Sequence, residues 1–330
     1  RGYDRLSSKK NICVVGAGYW GKNHIRTLSQ LGALGGVVES NSETLDSLKL
    51  TYPKIQYFSD LESALTHGFD GFTVATPAET HFDIARKIIE SGHHVLVEKP
   101  ITMNSNDAIC LHKLSIKNKV NLMVGHVLLF HPAFQKIKDL IEDGTLGDLQ
   151  YIYSNRLNLG TIRTEENVFW SFAPHDIALF QWLTGSYPEM INSSGMDILQ
   201  NGIHDTTVTT LEYPKKLMGH IYVSWLHPFK EHRFVVVGSK GMIRFEDSLE
   251  GKPLVFYDKS ITWENGKPIP RSGATRYVKF EDGMPLTREL QYFVDHLNGE
   301  SIKISNSEHA IEVMKILETA TESLLEGSNE

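Results

Sequence analysis

Asn11-Ile12-Cys13-Val14-Val15-Gly16-Ala17-Gly18-Tyr19-Trp20-Gly21-Lys22-Asn23-His24 sets a GxGxxG turn directly between an apolar, β-branched run and a helical stretch. In that setting the first glycine permits a tight turn, the second lets the backbone approach a pyrophosphate, and the third allows the helix to lie close on the strand. The phosphates would rest on the helix N-terminus. Gly16, Gly18, Tyr19, Trp20 and Gly21 are therefore candidate dinucleotide contacts. Glu39 follows 21 residues after Gly18, at the end of the next β-branched run. A carboxylate there accepts hydrogen bonds from ribose hydroxyls and repels a 2′-phosphate. Ser40-Asn41-Ser42-Glu43 offers no arginine to hold such a phosphate, so NAD is expected over NADP. The fingerprint alone also fits a flavin dinucleotide, which usually needs recognition elements not found in this chain. The plain alternative is that the glycines only relieve crowding and Glu39 is a solvated loop charge.

Working outward, Ile12–Val15, Val37–Glu39, Gly71–Ala75, His94–Val97 and Leu122–Val124 alternate with helical stretches. Such alternation predicts a doubly wound parallel sheet. Phe82, Ala85, Ile88 and Ile89 recur at helical spacing, with Glu79, Asp83, Arg86 and Lys87 on the other side, as in a crossover helix. After Gly125 the rhythm changes to a helix over Pro132–Glu142, another starting near Pro174, and strands of period two through Glu246. In 217–225 the odd positions are mostly apolar, which calls for a sheet with one strongly buried face. Helices are expected over Leu286–Leu297 and Glu308–Leu325. The fold class is α/β: a Rossmann domain over 1–125, then an α+β domain over 126–330 with a large, open, mostly antiparallel sheet. The C-terminal helices are free to return to the first domain.

The 330 residues carry 33 basic and 40 acidic side chains, a net charge of −7, which disfavours binding to nucleic acid. At 41% hydrophobic and 22% charged, with no apolar run of bilayer length, the sequence is not that of a membrane-inserted chain. Cys13 and Cys110 are too few for a disulfide framework, and both fall in stretches that read as buried strand or helix. A cytoplasmic location is expected. Arg1–Lys10 reads as a disordered lead-in and not as a signal peptide. None of the fifteen histidines stands in an HExxH arrangement, and no metal is expected.

His94-Val95-Leu96-Val97-Glu98-Lys99-Pro100 puts a lysine at the carboxyl end of a buried strand, where open α/β sheets bind ligands. Pro100 restricts Lys99 to extended geometry, so the turn aims the side chain. The alternative is a surface lysine in a turn. Farther on, Pro174 suits the first position of a helix, which would set His175 and Asp176 in the first turn. The positive end of the helix disfavours imidazolium there, leaving His175 neutral and able to accept a proton. A helix-terminal structural histidine is the competing reading.

The GxGxxG turn, Thr76-Pro77 with His81, Glu98-Lys99-Pro100 and Pro174-His175-Asp176 occur in the order and approximate spacing of the Gfo/Idh/MocA family of oxidoreductases. The resemblance covers nearly the whole chain and extends to Gly238-Ser239-Lys240-Gly241 and Pro285–Glu289. It implies a Rossmann domain that binds NAD and a second, open-sheet domain for sugar or polyol substrates. By the same resemblance, Thr76, Pro77, His81, Glu98 and Lys99 join the cofactor contacts. Lys99 corresponds to the lysine that hydrogen-bonds the reacting oxygen, and His175 to the histidine that takes its proton. Inositol dehydrogenases of the family carry an aspartate four residues before that histidine; here the position is Ser171.

A narrower likeness lies in 155–170 and 224–230, which look like the nucleotide-sugar branch, the UDP-N-acetylglucosamine 3-dehydrogenases. It implies oxidation of the sugar 3-hydroxyl by NAD for amino-sugar synthesis, with an aminotransferase downstream. Arg156, Arg163, Asn167, Trp170, His175, Asp176 and Lys230, with Lys99, are the candidate substrate contacts. Arg156, Arg163, Lys230 and Arg233 are cations such as a diphosphate requires, or else scattered surface charges. Other readings are a dehydrogenase of a UDP-hexosaminuronate or of a free polyol such as inositol, and a non-catalytic NAD-binding regulator. The open face of the second sheet predicts a homodimer or homotetramer.

Overall fold

The structure is a computed structural model that describes residues 10–327. The Arg1–Lys10 lead-in lies outside the described residues except for Lys10. Contacts divide the chain into two units, one holding the residues up to Phe130 with Gly283–Ile311, the other His131–Asp282 with the residues from Glu312 onward. The run from 126 to 330 is thus interrupted by a segment that belongs to the first unit.

In the first unit, β1 (Ile12–Val15), α1 (Tyr19–Gln30), β2 (Leu34–Val38), α2 (Ser42–Thr51), β3 (Gln56–Phe58), α3 (Leu61–Leu65), β4 (Gly71–Val74), α4 (His81–Glu90), β5 (His94–Glu98), α5 (Ser105–Asn118) and β6 (Leu122–Gly125) alternate along the chain. The strands form one parallel sheet in the order β3-β2-β1-β4-β5-β6. Every residue of β1, β4 and β6 is buried, which explains their nearly continuous apolar runs, Thr73 of β4 being the polar exception. Right-handed crossovers that lead away from β1 in one direction and from β4 in the other place α1 and α4 on opposite faces. The order reverses between β1 and β4, which is where such sheets bind ligands. Asn41, Asp60 and Asn104 cap α2, α3 and α5 by accepting from backbone N–H groups. Cys13 is buried in β1, and burial pushes its thiol up. Cys110 is exposed on α5, on the solvent side of a helix whose buried residues are Ser105, Ala108, Leu111 and Ser115, so the expectation of two buried cysteines holds for one.

The second unit starts with α6 (Pro132–Glu142), β7 (Leu149–Leu157), α7 (Val168–Thr184), β8 (Met190–Met196), β9 (Thr206–Tyr213) and β10 (Leu217–Ser224). It continues with β11 (Glu231–Gly238), β12 (Met242–Glu246), β13 (Leu254–Glu264) and β14 (Lys267–Tyr277). Eight strands form one sheet in the order β14-β13-β12-β11-β7-β10-β9-β8, antiparallel except where β7 meets β10. Along β10, Leu217, Gly219, Ile221 and Val223 are buried, while Met218, His220 and Tyr222 are not. Gly219 lets α7 approach, since a Cβ there would stand 2.7 Å from the Phe180 ring. The opposite face leaves Met190, Met196, Val208 and Met218 exposed.

α8 (Pro285–Asp295) belongs to the first unit and contacts α1. α9 (Ser307–Gly327) begins in the first unit and continues in the second.

Candidate active site

The cofactor cradle lies at the reversal of strand order. Gly16 has φ +90°, a conformation that suits glycine, and a Cβ there would stand 2.8 Å from Thr76 Cγ2. A Cβ on Gly21 would stand 2.0 Å from the Gly16 carbonyl oxygen, so only glycine lets α1 start this close to the turn. Gly18 is the N-cap of α1 and supplies no side-chain acceptor, which leaves the first N–H groups of the helix for an anion. Nothing lies within 4 Å of a Cβ placed on Gly18. Tyr19 and Trp20 are exposed in the first turn, edge to face, with centroids 6.0 Å apart.

Glu39 joins the two loops that a dinucleotide would straddle. Its Oε2 accepts from Ala17 N at 2.8 Å and its Oε1 from Asn41 N at 2.9 Å. An ionised carboxylate has about four acceptor sites, so capacity remains for ribose hydroxyls. A cavity of about 390 Å³ is lined by Gly16, Ala17, Gly18, Glu39, Asp60 and Pro77, among others. These residues fit NAD: a turn with open N–H donors, a carboxylate for the ribose, and a second carboxylate nearby that adds to the repulsion of a 2′-phosphate. Asp60 was not among the sequence candidates. Its signal is the capping pattern Ser59-Asp60 before Leu61-Glu62, and the hydrogen bond from Ser63 N holds its carboxyl below the usual range.

Replacing Glu39 by alanine should raise the NADP affinity relative to NAD by about tenfold or more, because a repulsive charge and a ribose acceptor go together. Isothermal titration with each cofactor would read it. An unchanged ratio would take Glu39 out of cofactor selection.

At the carboxyl ends of β4 and β5, the side chains of three cofactor candidates have partners within the first unit. His81 is buried, with Nδ1 2.7 Å from the Pro100 carbonyl oxygen and Nε2 2.9 Å from that of Thr76. Thr80 Oγ1 lies 2.7 Å from Thr76 Oγ1, within hydrogen-bond distance. Glu98 points inward: its Oε1 takes a hydrogen bond from His24 Nε2 at 2.7 Å, and its carboxylate lies against Gly125, where a Cβ would stand 2.7 Å from Oε2. Lys99 follows, joined to Pro100 by a cis peptide.

In the second unit, α7 does not start at Pro174. It starts six residues earlier, at Val168, with Asn167 as N-cap, whose side-chain oxygen accepts from Trp170 N at 3.0 Å. Pro174 lies inside the helix, and the cap together with the apolar run from Val168 outweighs the carbonyl bond that proline forfeits. His175 is therefore beyond the first turn, and the helix terminus does not bear on its charge as expected. The same shift brings Ser171 and His175 four residues apart on one helix, hence onto one face. Asn167 serves as a cap, and Trp170 donates its indole N–H to Thr321 Oγ1 at 2.8 Å.

Three of the four cations read as a diphosphate site hold carboxylates of their own. Arg156 is bound twice by Asp176, at 2.9 Å from Nε and 2.9 Å from Nη2. Asp176 is fully buried and also accepts from Ser154 Oγ at 2.6 Å, and the Arg156 side chain is 14% exposed. Burial and the charges of Arg156 and Lys230 push the adjoining His232 down to about 4, which keeps it neutral. Arg163 is matched by Glu165 at 3.2 Å and Glu166 at 3.4 Å. Arg233 pairs with Glu246 at 3.1 Å, one residue out of phase with His232 and so on the other face of the sheet. Lys230 is exposed. Trp225, within the second nucleotide-sugar stretch, is buried with its indole N–H on Asp205 Oδ1 at 2.5 Å.

Residues 10–126 match the GFO/IDH/MocA oxidoreductase family, described as having an NAD-binding Rossmann fold, and residues 134–244 match the C-terminal domain of the same family. The chain belongs to this family. It carries the family's NAD-binding Rossmann domain and its C-terminal domain. Its relatives include the UDP-N-acetylglucosamine 3-dehydrogenase of Acidithiobacillus ferrooxidans, 27% identical over 184 residues, 56% of this chain and 57% of the relative. An inositol 2-dehydrogenase of Corynebacterium glutamicum is 26% identical over 188 residues, 55% of this chain and 56% of that one. The chain thus matches little more than half the length of these two. The solved structure of the Acidithiobacillus enzyme superposes with a TM-score of 0.83 at 20% identity, covering 95% of this chain and 97% of that one.

Among the described residues, no helix is long and apolar enough to cross a membrane.

Proposed function

We propose that this protein oxidises a sugar hydroxyl with NAD, and that the sugar is UDP-N-acetylglucosamine, attacked at its 3-hydroxyl. The observation that carries the reading is the place of Lys99, a cation at the carboxyl end of β5 in the unit that bears the NAD cradle. The likeness to the UDP-N-acetylglucosamine 3-dehydrogenase supports the substrate.

In this reading His175 accepts the hydroxyl proton and Lys99 stabilises the alkoxide that develops. A cation aimed at charge that appears only in the transition state lowers the barrier more than one that binds substrate and transition state alike. Gly16, Gly18, Gly21 and Glu39 would hold the cofactor, with Thr76 and Pro77 lining the same cavity. Bound NAD supplies the two-electron oxidant. The open sheet face, with its exposed methionines, is where we place self-association into a dimer or tetramer.

A free polyol is the second reading, favoured by the likeness to the inositol 2-dehydrogenase. Ser171 stands against it, because the carboxylate of inositol-type relatives is missing on the face of α7 that carries His175.

The test incubates the protein with NAD and, separately, UDP-N-acetylglucosamine, its uronate counterpart, free N-acetylglucosamine and myo-inositol, with absorbance of the reduced nicotinamide followed. A 3-ketosugar aminotransferase draws off product. Reduction with UDP-N-acetylglucosamine alone is expected. Reduction with inositol would reject the nucleotide sugar, and silence with all four despite NAD binding would favour another sugar or the regulator.

A further inference from the structure

Lys99 is bracketed by two buried histidines, one from each face of the first sheet. On one side His24, from α1, binds the Glu98 carboxylate at 2.7 Å. On the other His81, the first residue of α4, reaches the carbonyl oxygen of Pro100 at 2.7 Å. We infer that His24 and His81 form a clamp that fixes the peptide on either side of Lys99, and that His81 carries a proton on both ring nitrogens to do so. This rests on the reading of Lys99 as the residue that stabilises the alkoxide.

The partners of His81 decide its protonation. Both are backbone carbonyl oxygens, which only accept, whereas a neutral imidazole has a single N–H to give. With one proton the other nitrogen would face a carbonyl lone pair at hydrogen-bond distance. With two, the ring ties the turn after β4 to the turn after β5. Thr76, at the first end, packs on Gly16 of the dinucleotide turn. Lys99 precedes Pro100 at the second. One side chain therefore links the cofactor loop to the lysine.

The His24 arm depends on two further features. Gly125 leaves the room that the Glu98 carboxylate fills, since a Cβ there would collide with it. Lys99 N donates to Glu98 Oε2 at 3.3 Å, so the carboxylate anchors the lysine's own backbone as well as the histidine.

Nearby titratable groups do not compete for these roles. Glu289, from α8, is fully buried, and burial together with the Glu98 charge pushes it well up, so it stays a neutral acid. His126, just after β6, is pushed well down by burial, with His309 and Lys99 adding to it, and stays neutral. The α4 helix opens at His81 itself, and its dipole opposes a cation there. On neighbouring positions, Glu79 and Asp83 supply acidic charge and Arg86 and Lys87 basic charge.

A positioning role predicts a loss in turnover without a matching loss in cofactor affinity, because displacements of about 1 Å can cost 10²-fold in rate. His81→Phe keeps a ring and loses both arms; it should lower kcat about 10–100-fold with UDP-N-acetylglucosamine while NAD affinity by titration changes less than about threefold. His81→Gln, which keeps an N–H donor, should recover part of that loss. His24→Phe should act in the same direction. Independently of turnover, ¹⁵N spectra of histidine-labelled protein at pH 7.5 should contain one ring with both nitrogens protonated, present in the Lys99→Met variant and absent in His81→Phe. A parent-like kcat in His81→Phe, equal losses of kcat and NAD affinity in both His81 variants, or a singly protonated His81 ring would overturn the clamp. Full turnover in Lys99→Met would instead overturn the role of the lysine, and the spectra would still decide the protonation of His81. With no turnover on UDP-N-acetylglucosamine, the spectra alone decide.

Discussion

Lys99→Met is expected to lower turnover of the sugar about 10²–10³-fold, the range for removing one group that meets charge in a transition state. Methionine is the apt replacement, because it keeps an unbranched chain of similar length and removes only the cation. The dinucleotide turn, Glu39 and Asp60 are untouched, so NAD affinity should stay within about twofold. The kinetic form matters as much as the size. Losing an interaction made only in the transition state lowers kcat and kcat/KM by equal factors, whereas losing uniform substrate binding raises KM and leaves kcat alone. Steady-state kinetics on the purified variant, with NAD titrated separately, reads both. A kcat within about twofold of the parent, or a loss confined to KM, would remove the lysine from the chemistry.

What was legible in the sequence has a local cause. The GxGxxG turn could be read because its glycines answer to contacts within a few residues, such as Gly21 beneath the Gly16 carbonyl. The central parallel strands could be read because burial on both faces favours nearly continuous apolar runs. β3 was missed: it is only three residues, Gln56–Phe58, and none of them is buried. β13 and β14 were missed for a related reason. β14 is exposed along its whole length and carries two prolines, so it lacks the alternation that marks a half-buried strand. Pro174 misleads because proline reads as a helix start, whereas the actual cap, Asn167, also reads as a substrate contact. The pairings of Arg156 with Asp176 and of His24 with Glu98 join residues far apart in sequence, and only the fold brings them together.

Asp176→Ala should destabilise the protein by about 3–5 kcal/mol, the usual cost of stranding a buried charge. Asp176 is fully buried, and the Arg156 side chain is only 14% exposed. Two hydrogen bonds at 2.9 Å hold the guanidinium, and Ser154 occupies the carboxylate further. Without Asp176 the guanidinium keeps the His232 ring, whose neutral form offers at best one acceptor, 3.4 Å from Nη1, and the longer-range charge of Asp247. Arg156→Met strands the carboxylate instead and should cost a similar amount. The double variant Arg156→Met with Asp176→Ala removes both charges from the interior, and it should recover most of the loss, because no ion is left stranded there. Urea denaturation of the four proteins would measure this cycle. A cost under about 1 kcal/mol for Asp176→Ala, or a double variant as unstable as the sum of the singles, would contradict a buried structural pair. The cycle also decides between two uses of the arginine. If Arg156 held the diphosphate of a nucleotide sugar, Arg156→Met would raise the KM for UDP-N-acetylglucosamine and leave stability nearly intact. The bidentate geometry predicts the reverse order of effects, with stability falling first and the position of His175, the residue before Asp176 on α7, changing as a consequence.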